Sequence, residues 1–148
     1  MSNEQFDIVQ KAAHYNKNLS EIECIQIIRS FDFNIGNCFK YLWRSDHKEN
    51  LLQDYKKALY YIKDELLTRK TKIQFIGNSK IPNIYKLKAY RERTLLIDTV
   101  SVYQDVESYT IPLLYHLLNK ADFYLYDTTN LEGAISYLSS MINNFEQN

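Results

Sequence analysis

Three glycines and two prolines are all that punctuate a chain of 148 residues. Gly and Pro are the strongest local breakers of regular structure, so a chain this poor in them does not read as many short strands joined by tight turns. It reads as helices joined by short loops. The length argues for one domain, or one domain with a small appendage. A chain of this size buries roughly two thirds of its unfolded surface, enough for a self-sufficient core. Apolar residues at 45% and charged residues at 24% exclude an intrinsically disordered chain, which needs low hydrophobicity and high net charge. Thirteen tyrosines are the other compositional oddity.

Charge narrows the partners. Eighteen basic side chains balance 18 acidic ones, which argues against an extended nucleic acid as partner. The balance is not local, however. Residues 1–70 carry 11 basic and 10 acidic groups, residues 71–93 carry 6 and 1, and residues 94–148 carry 1 and 7. A cationic site for a small phosphate ligand is compatible with that distribution. The basic middle is also expected to meet the acidic C-terminal part, in the same chain or in a neighbouring copy of a homo-oligomer. Cys24 and Cys38 form neither a CxxC pair nor a zinc-ligand cluster, and read as buried reduced thiols. Met1 to Gln10 lacks the basic and apolar regions of a signal peptide, and no apolar run approaches the ~18 residues of a membrane span. The expectation is a cytoplasmic protein with no membrane partner, in the host cytosol if the gene is viral.

Periodicity divides the chain into helices. Residues 4–13 place Phe6, Val9 and Ala13 on one side of a short helix. Ser20-Glu21-Ile22-Glu23 reads as a capping box opening a helix over about 20–31, with Ile22, Ile25, Ile28 and Phe31 at helical spacing. A third helix is predicted over about 35–44. A fourth is capped by Asn50, with the stripe Leu52, Tyr55, Leu59, Ile62 and Leu66. Residues 69–93 read as a basic connection with a short strand at Ile73–Ile76. Residues 94–103 lean to helix, Thr110-Ile111-Pro112 opens another to about Lys120, and Asn130 caps a last one carrying Leu131, Ala134, Leu138 and Ile142.

The fold class is therefore mainly α: a helical bundle with a short strand pair in the middle. The organisation expected is a helical unit over 1–68, the basic segment 69–93, and a helical half over 94–148 packed on the first. The order of elements around Tyr41-Leu42-Trp43 recurs around His116-Leu117-Leu118 at an offset near 75. A degenerate internal duplication explains this, and so does chance between two helical hairpins.

The strongest constellation lies on the third and fourth helices. Asn37, Lys40, Tyr41 and Arg44 stand at i, i+3, i+4 and i+7, and Asp54, Lys57, Ala58 and Tyr61 repeat that spacing. If the two helices pack as an antiparallel hairpin, the faces converge, with Lys48 in the loop between them. Arg and Lys pair with phosphate oxygens, Tyr stacks on a base, and Asp holds Mg²⁺ through oxygen. The bland alternative is a solvated face with weak ion pairs.

His14-Tyr15, Glu23-Cys24-Ile25, Gly36-Asn37-x-x-Lys40-Tyr41-x-Trp43-Arg44, Lys48 and Asp54-x-x-Lys57-Ala58-x-x-Tyr61 occur in this order over residues 14–66. That series resembles a nucleotide kinase-like domain family of phages and prophages, formerly a domain of unknown function. The resemblance implies nucleotide handling, with phosphate passing from ATP or another nucleoside triphosphate to a deoxynucleoside monophosphate. It assigns catalytic roles to His14, Lys40, Arg44 and Asp54, and ligand binding to Tyr15, Asn37, Tyr41, Lys48, Lys57 and Tyr61. Asp54 and Glu23 become the Mg²⁺ side. Gln26 departs from the family pattern, where an Asp is usual, and residues 70–148 have no counterpart. No GxxxxGK[ST] loop is present, so charge stabilisation would rest on side-chain cations. The competing reading is a non-catalytic viral protein that sequesters a nucleotide signal or inhibits a host protein.

Overall fold

The computed structural model describes residues 21–45, 50–76, 81–102 and 110–147. Within them lie α1 (Cys24–Ile28), α2 (Phe33–Ser45), α3 (Leu51–Ile76), β1 (Ile81–Pro82), a 3₁₀ turn (Ile84–Lys86), α4 (Leu87–Val102), α5 (Thr110–Phe123), β2 (Tyr124–Leu125) and α6 (Thr129–Gln147). The mainly α class expected from the scarcity of breakers is the class observed. No helix among the described residues is long and apolar enough to cross a membrane.

Two hairpins make the bundle. Helix α2 packs on α3, and α5 packs on α6; the hairpins then meet α3 to α6 and α2 to α5, with α4 against α5. Their shared core is aromatic along α2 and α5. The Phe39 ring lies 4.1 Å from that of Tyr115 in a stacked pair, and Phe31 and Trp43 flank it at 5.5 and 6.2 Å.

The element boundaries correct three expectations. Helix α1 begins after Glu23, and its box partner is Gln26, whose Oε1 accepts from the Glu23 N–H at 2.6 Å. Gln26, the departure from the motif, thus has a capping task; the cap expected at Ser20 lies outside the described residues. The strand expected at Ile73–Ile76 is helix, because no breaker interrupts α3 and its last turns are tied down. Arg69, 7% exposed, pairs with Glu65 at 2.9 Å and donates to the carbonyls of Tyr124 and Asp127 at 3.3 and 2.8 Å. The strand pair forms later, antiparallel, with Ile81 opposite Leu125 and Pro82 opposite Tyr124. Finally, α6 is capped by Asp127 rather than Asn130: the Asp127 carboxylate accepts from the Asn130 N–H at 3.2 Å.

One buried ionic centre ties the hairpins together. Arg93 of α4 is 1% exposed and sits 4.3 Å over the Phe31 ring. Its guanidinium donates to Asp122 at 2.9 Å, to Asn119 at 2.7 Å, and to the Ser30 hydroxyl and carbonyl at 2.8 and 3.1 Å. Asp122 also accepts from the Asp32 backbone N–H at 3.0 Å and from Lys86 at 3.3 Å. Burial pulls the Arg93 pKa below its usual value, and the adjacent Asp122 carboxylate opposes that shift. Such a centre adds little net stability over an apolar one, but losing one partner strands a charge.

Candidate functional site

The face expected from the i, i+3, i+4, i+7 spacing forms. Because α2 and α3 pack side by side, Tyr41 and Tyr61 meet in a stacked pair with ring centroids 5.9 Å apart and planes 11° apart. Lys40 Nζ lies 4.8 Å and Lys57 Nζ 5.4 Å from the Tyr41 centroid. Two ammonium groups therefore share one aromatic ring, whose quadrupole attracts both while they repel each other. The Phe33 ring meets Tyr61 edge-on at 6.0 Å, extending the aromatic surface toward the start of α2.

Arg44 and Asp54 close the other end. Arg44 Nε is 3.8 Å from Asp54 Oδ1, too long for a hydrogen bond, and this Nε has no hydrogen-bond partner in the structure. Asp54 is 2% exposed, so its carboxylate serves the guanidinium in a poorly solvated place. Asn37 turns back on its own helix, its Nδ2 donating to the Phe33 carbonyl at 2.8 Å.

His14, Tyr15 and Lys48 lie outside the described residues. Glu23 sits at the start of α1, where its backbone N–H is held by Gln26. Among the described residues no three His, Cys, Asp or Glu side chains gather as a metal site. Mg²⁺ wants about six oxygen ligands in octahedral array. Asp54, paired with Arg44, does not fit an independent site for it. The thiols supply no nucleophile: burial pushes Cys24 up to about 12, against a smaller downward pull from Lys40, and burial alone raises Cys38.

Sequence reasoning missed the wall beside this face. A groove of about 230 Å³ runs between the α1–α2 turn and the first turns of α2, lined by Ile28, Phe31, Asp32, Phe33, Gly36, Asn37 and Lys40. Gly36 lets the two elements approach, since a Cβ there would stand 3.3 Å from Phe31 Cβ. Lys86 holds Asp32 with a 2.7 Å contact to Oδ2. Gly36 was visible in the motif; Lys86 lies 54 residues from Asp32 and carried no local signal.

A family model described as a protein of unknown function, DUF3310, matches residues 9–63. That match spans the helices bearing the motif and comes from an uncharacterised family. It corrects the resemblance drawn from the motif: what matches is this family, and nothing in the match makes it nucleotide kinase-like. No curated protein and no solved structure matches the chain.

Proposed function

We propose that the α2–α3 face binds a small phosphorylated ligand carrying a planar ring, of which a nucleotide is the nearest fit. The observation that carries this reading is the placement of Lys40 and Lys57 against the Tyr41–Tyr61 pair, with Arg44 one turn further on. Among the described residues of this face, Lys40, Lys57 and Arg44 outnumber the Asp54 carboxylate that Arg44 pairs with. An anion answers the excess charge, and a flat ring answers the aromatic surface. Hydrogen bonds to charged groups contribute about 1.5–3 kcal/mol each, so losing one cation costs roughly tenfold to a hundredfold in affinity.

The test is calorimetric titration of the full chain with ATP and with deoxynucleoside monophosphates, with and without Mg²⁺, beside Lys40→Ala, Lys57→Ala and Arg44→Ala. Weakened binding in folded variants is expected; unchanged affinity in all three removes the reading. Phosphoryl transfer between nucleotides and binding without turnover are the two forms this reading takes, and the first is the one a product assay tests. A phosphorylated product formed from ATP and a monophosphate selects the first, and binding with no product selects the second.

A further inference from the structure

We propose that the ring of this ligand lies in the groove between the α1–α2 turn and α2, and that Asp32, held by Lys86, is the group that reads the ring's edge. The proposal rests on the phosphate reading of the cationic face and extends it to the kind of ring accepted.

Three observations support it. First, groove and cationic face are continuous. Lys40 lines the groove and also sits at the Tyr41 ring, so a phosphate held there leaves the rest of its molecule within reach of the groove. Second, the walls suit a flat apolar body. Phe31, Ile28 and Gly36 line it, and Phe33 is a large aromatic left 74% exposed that continues into Tyr61. An exposed aromatic at the rim of a groove supplies stacking area at small entropic cost.

Third, Asp32 and Asn37 bring acceptors to the groove beside the Lys40 ammonium. Asn37 gives one of its two amide N–H groups to the Phe33 carbonyl, and its Oδ1 is an acceptor. Both Asp32 oxygens can accept, and among the described residues Lys86 takes Oδ2. The Asp32 backbone is pinned by Asp122, so the carboxylate stands on a rigid base. Acceptors at a ring's edge select N–H donors. The occupant is therefore a nucleobase that offers exocyclic amino or ring N–H groups, rather than a ring that offers acceptors alone. Lys86 acts through Asp32 and is a positioning residue. It belongs to the part of the chain beyond the family match, which gives that part a role in the site.

The experiment compares inorganic triphosphate with nucleoside triphosphates whose base edges differ in N–H donors, titrated into the full chain. Donor-bearing bases are expected to bind roughly tenfold or more tightly than inorganic triphosphate, the scale of one good edge contact. Asp32→Asn and Phe33→Ala alter exposed residues and should fold; they are expected to erase the gain of donor-bearing bases over inorganic triphosphate, both measured on the same variant. Lys86→Met should reduce the preference among bases, and Lys86→Arg should restore it. A nucleotide that gains nothing over inorganic triphosphate, or a base preference intact in Asp32→Asn, overturns the groove proposal and leaves the cationic face standing. Failure of both inorganic triphosphate and nucleotides to bind overturns the phosphate reading and this proposal with it.

Discussion

Phe39 in the first hairpin and Tyr115 in the second stand 76 positions apart, lie at the same depth and stack on each other. The same offset pairs Ile35 with Ile111, Cys38 with Leu114, Leu42 with Leu118, Ala58 with Ala134 and Ile62 with Leu138, each no more than 2% exposed. The outer faces do not follow. Where α2 and α3 carry Lys40, Tyr41, Asp54 and Lys57, α5 and α6 carry His116, Leu117, Asn130 and Gly133. Only Arg44 with Lys120, and Tyr61 with Tyr137, keep their chemical kind. His116 turns instead to Asp98 of α4 at 3.3 Å. The difference teaches that a hairpin with this core does not need the cations. Packing demands the buried set twice, and the charged set appears once.

The largest effect should come from breaking the joint between the hairpins. Arg93→Met leaves the Asp122 carboxylate, 0% exposed, without its main partner. A loss of about 3–5 kcal/mol is expected in chemical denaturation, the scale for stranding one member of a buried pair. A loss under 1 kcal/mol, on the scale of a surface ion pair, would show that the centre is not what holds the halves together.

Next come the paired core positions. Leu42→Ala and Leu118→Ala each truncate a fully buried leucine at equivalent depth. Each should cost about 2–5 kcal/mol, and the two costs should resemble one another. If one hairpin tolerates the change and the other unfolds, the equivalence of the cores is only geometrical.

A third test uses the thiols, which belong to the first hairpin and its lead-in helix; Val100 and Leu114 occupy the equivalent places in the second. The folded Cys24 pKa of about 12 lies above the unfolded value of 9.0, so the folded state keeps its proton when the unfolded chain loses it. Stability from this group is complete below pH 9.0 and declines above it, until the folded thiol ionises near about 12. The slope is about 1.4 kcal/mol per pH unit for one thiol. Denaturation midpoints measured between neutral and alkaline pH should fall less steeply in Cys24→Ala.

The smallest effect on stability is expected where the effect on binding is largest. Lys57→Ala and His116→Ala both alter partly exposed side chains and should move stability by no more than about 0.5 kcal/mol. Thermal melting with excess nucleotide then separates them, because a ligand that binds only the folded state raises the melting point. Lys57→Ala should lose that shift, and His116→Ala should keep it.

Much of this was legible in the chain. The stripe of α6, the start of α3 after Asn50 and the shared faces of α2 and α3 follow from spacings of three and four residues, which a helix converts directly into neighbours. The misplaced features have the same physical cause in reverse. Ile73–Ile76 looked like a strand because three of its four residues are β-branched or aromatic, but Arg69 anchors the preceding turn to carbonyls 55 and 58 residues away and the helix continues. Asn130 looked like the cap of α6, and the carboxylate that caps it sits three residues earlier.

By itself, then, the sequence determined that the chain is helical, which faces are apolar, and that Lys40, Tyr41, Lys57 and Tyr61 share a surface once their helices pair. Local hydrogen bonding and hydrophobic periodicity act over a few residues and are written in order along the chain. Only the tertiary structure decided that Arg93 joins Ser30 to Asp122, that Lys86 holds Asp32, and that Phe33 and Gly36 shape a groove beside the cations. Those contacts reach across as many as 63 residues for Arg93 and 54 for Lys86. Burial and packing select them from many candidate pairings after the chain has collapsed, and no spacing rule encodes that choice.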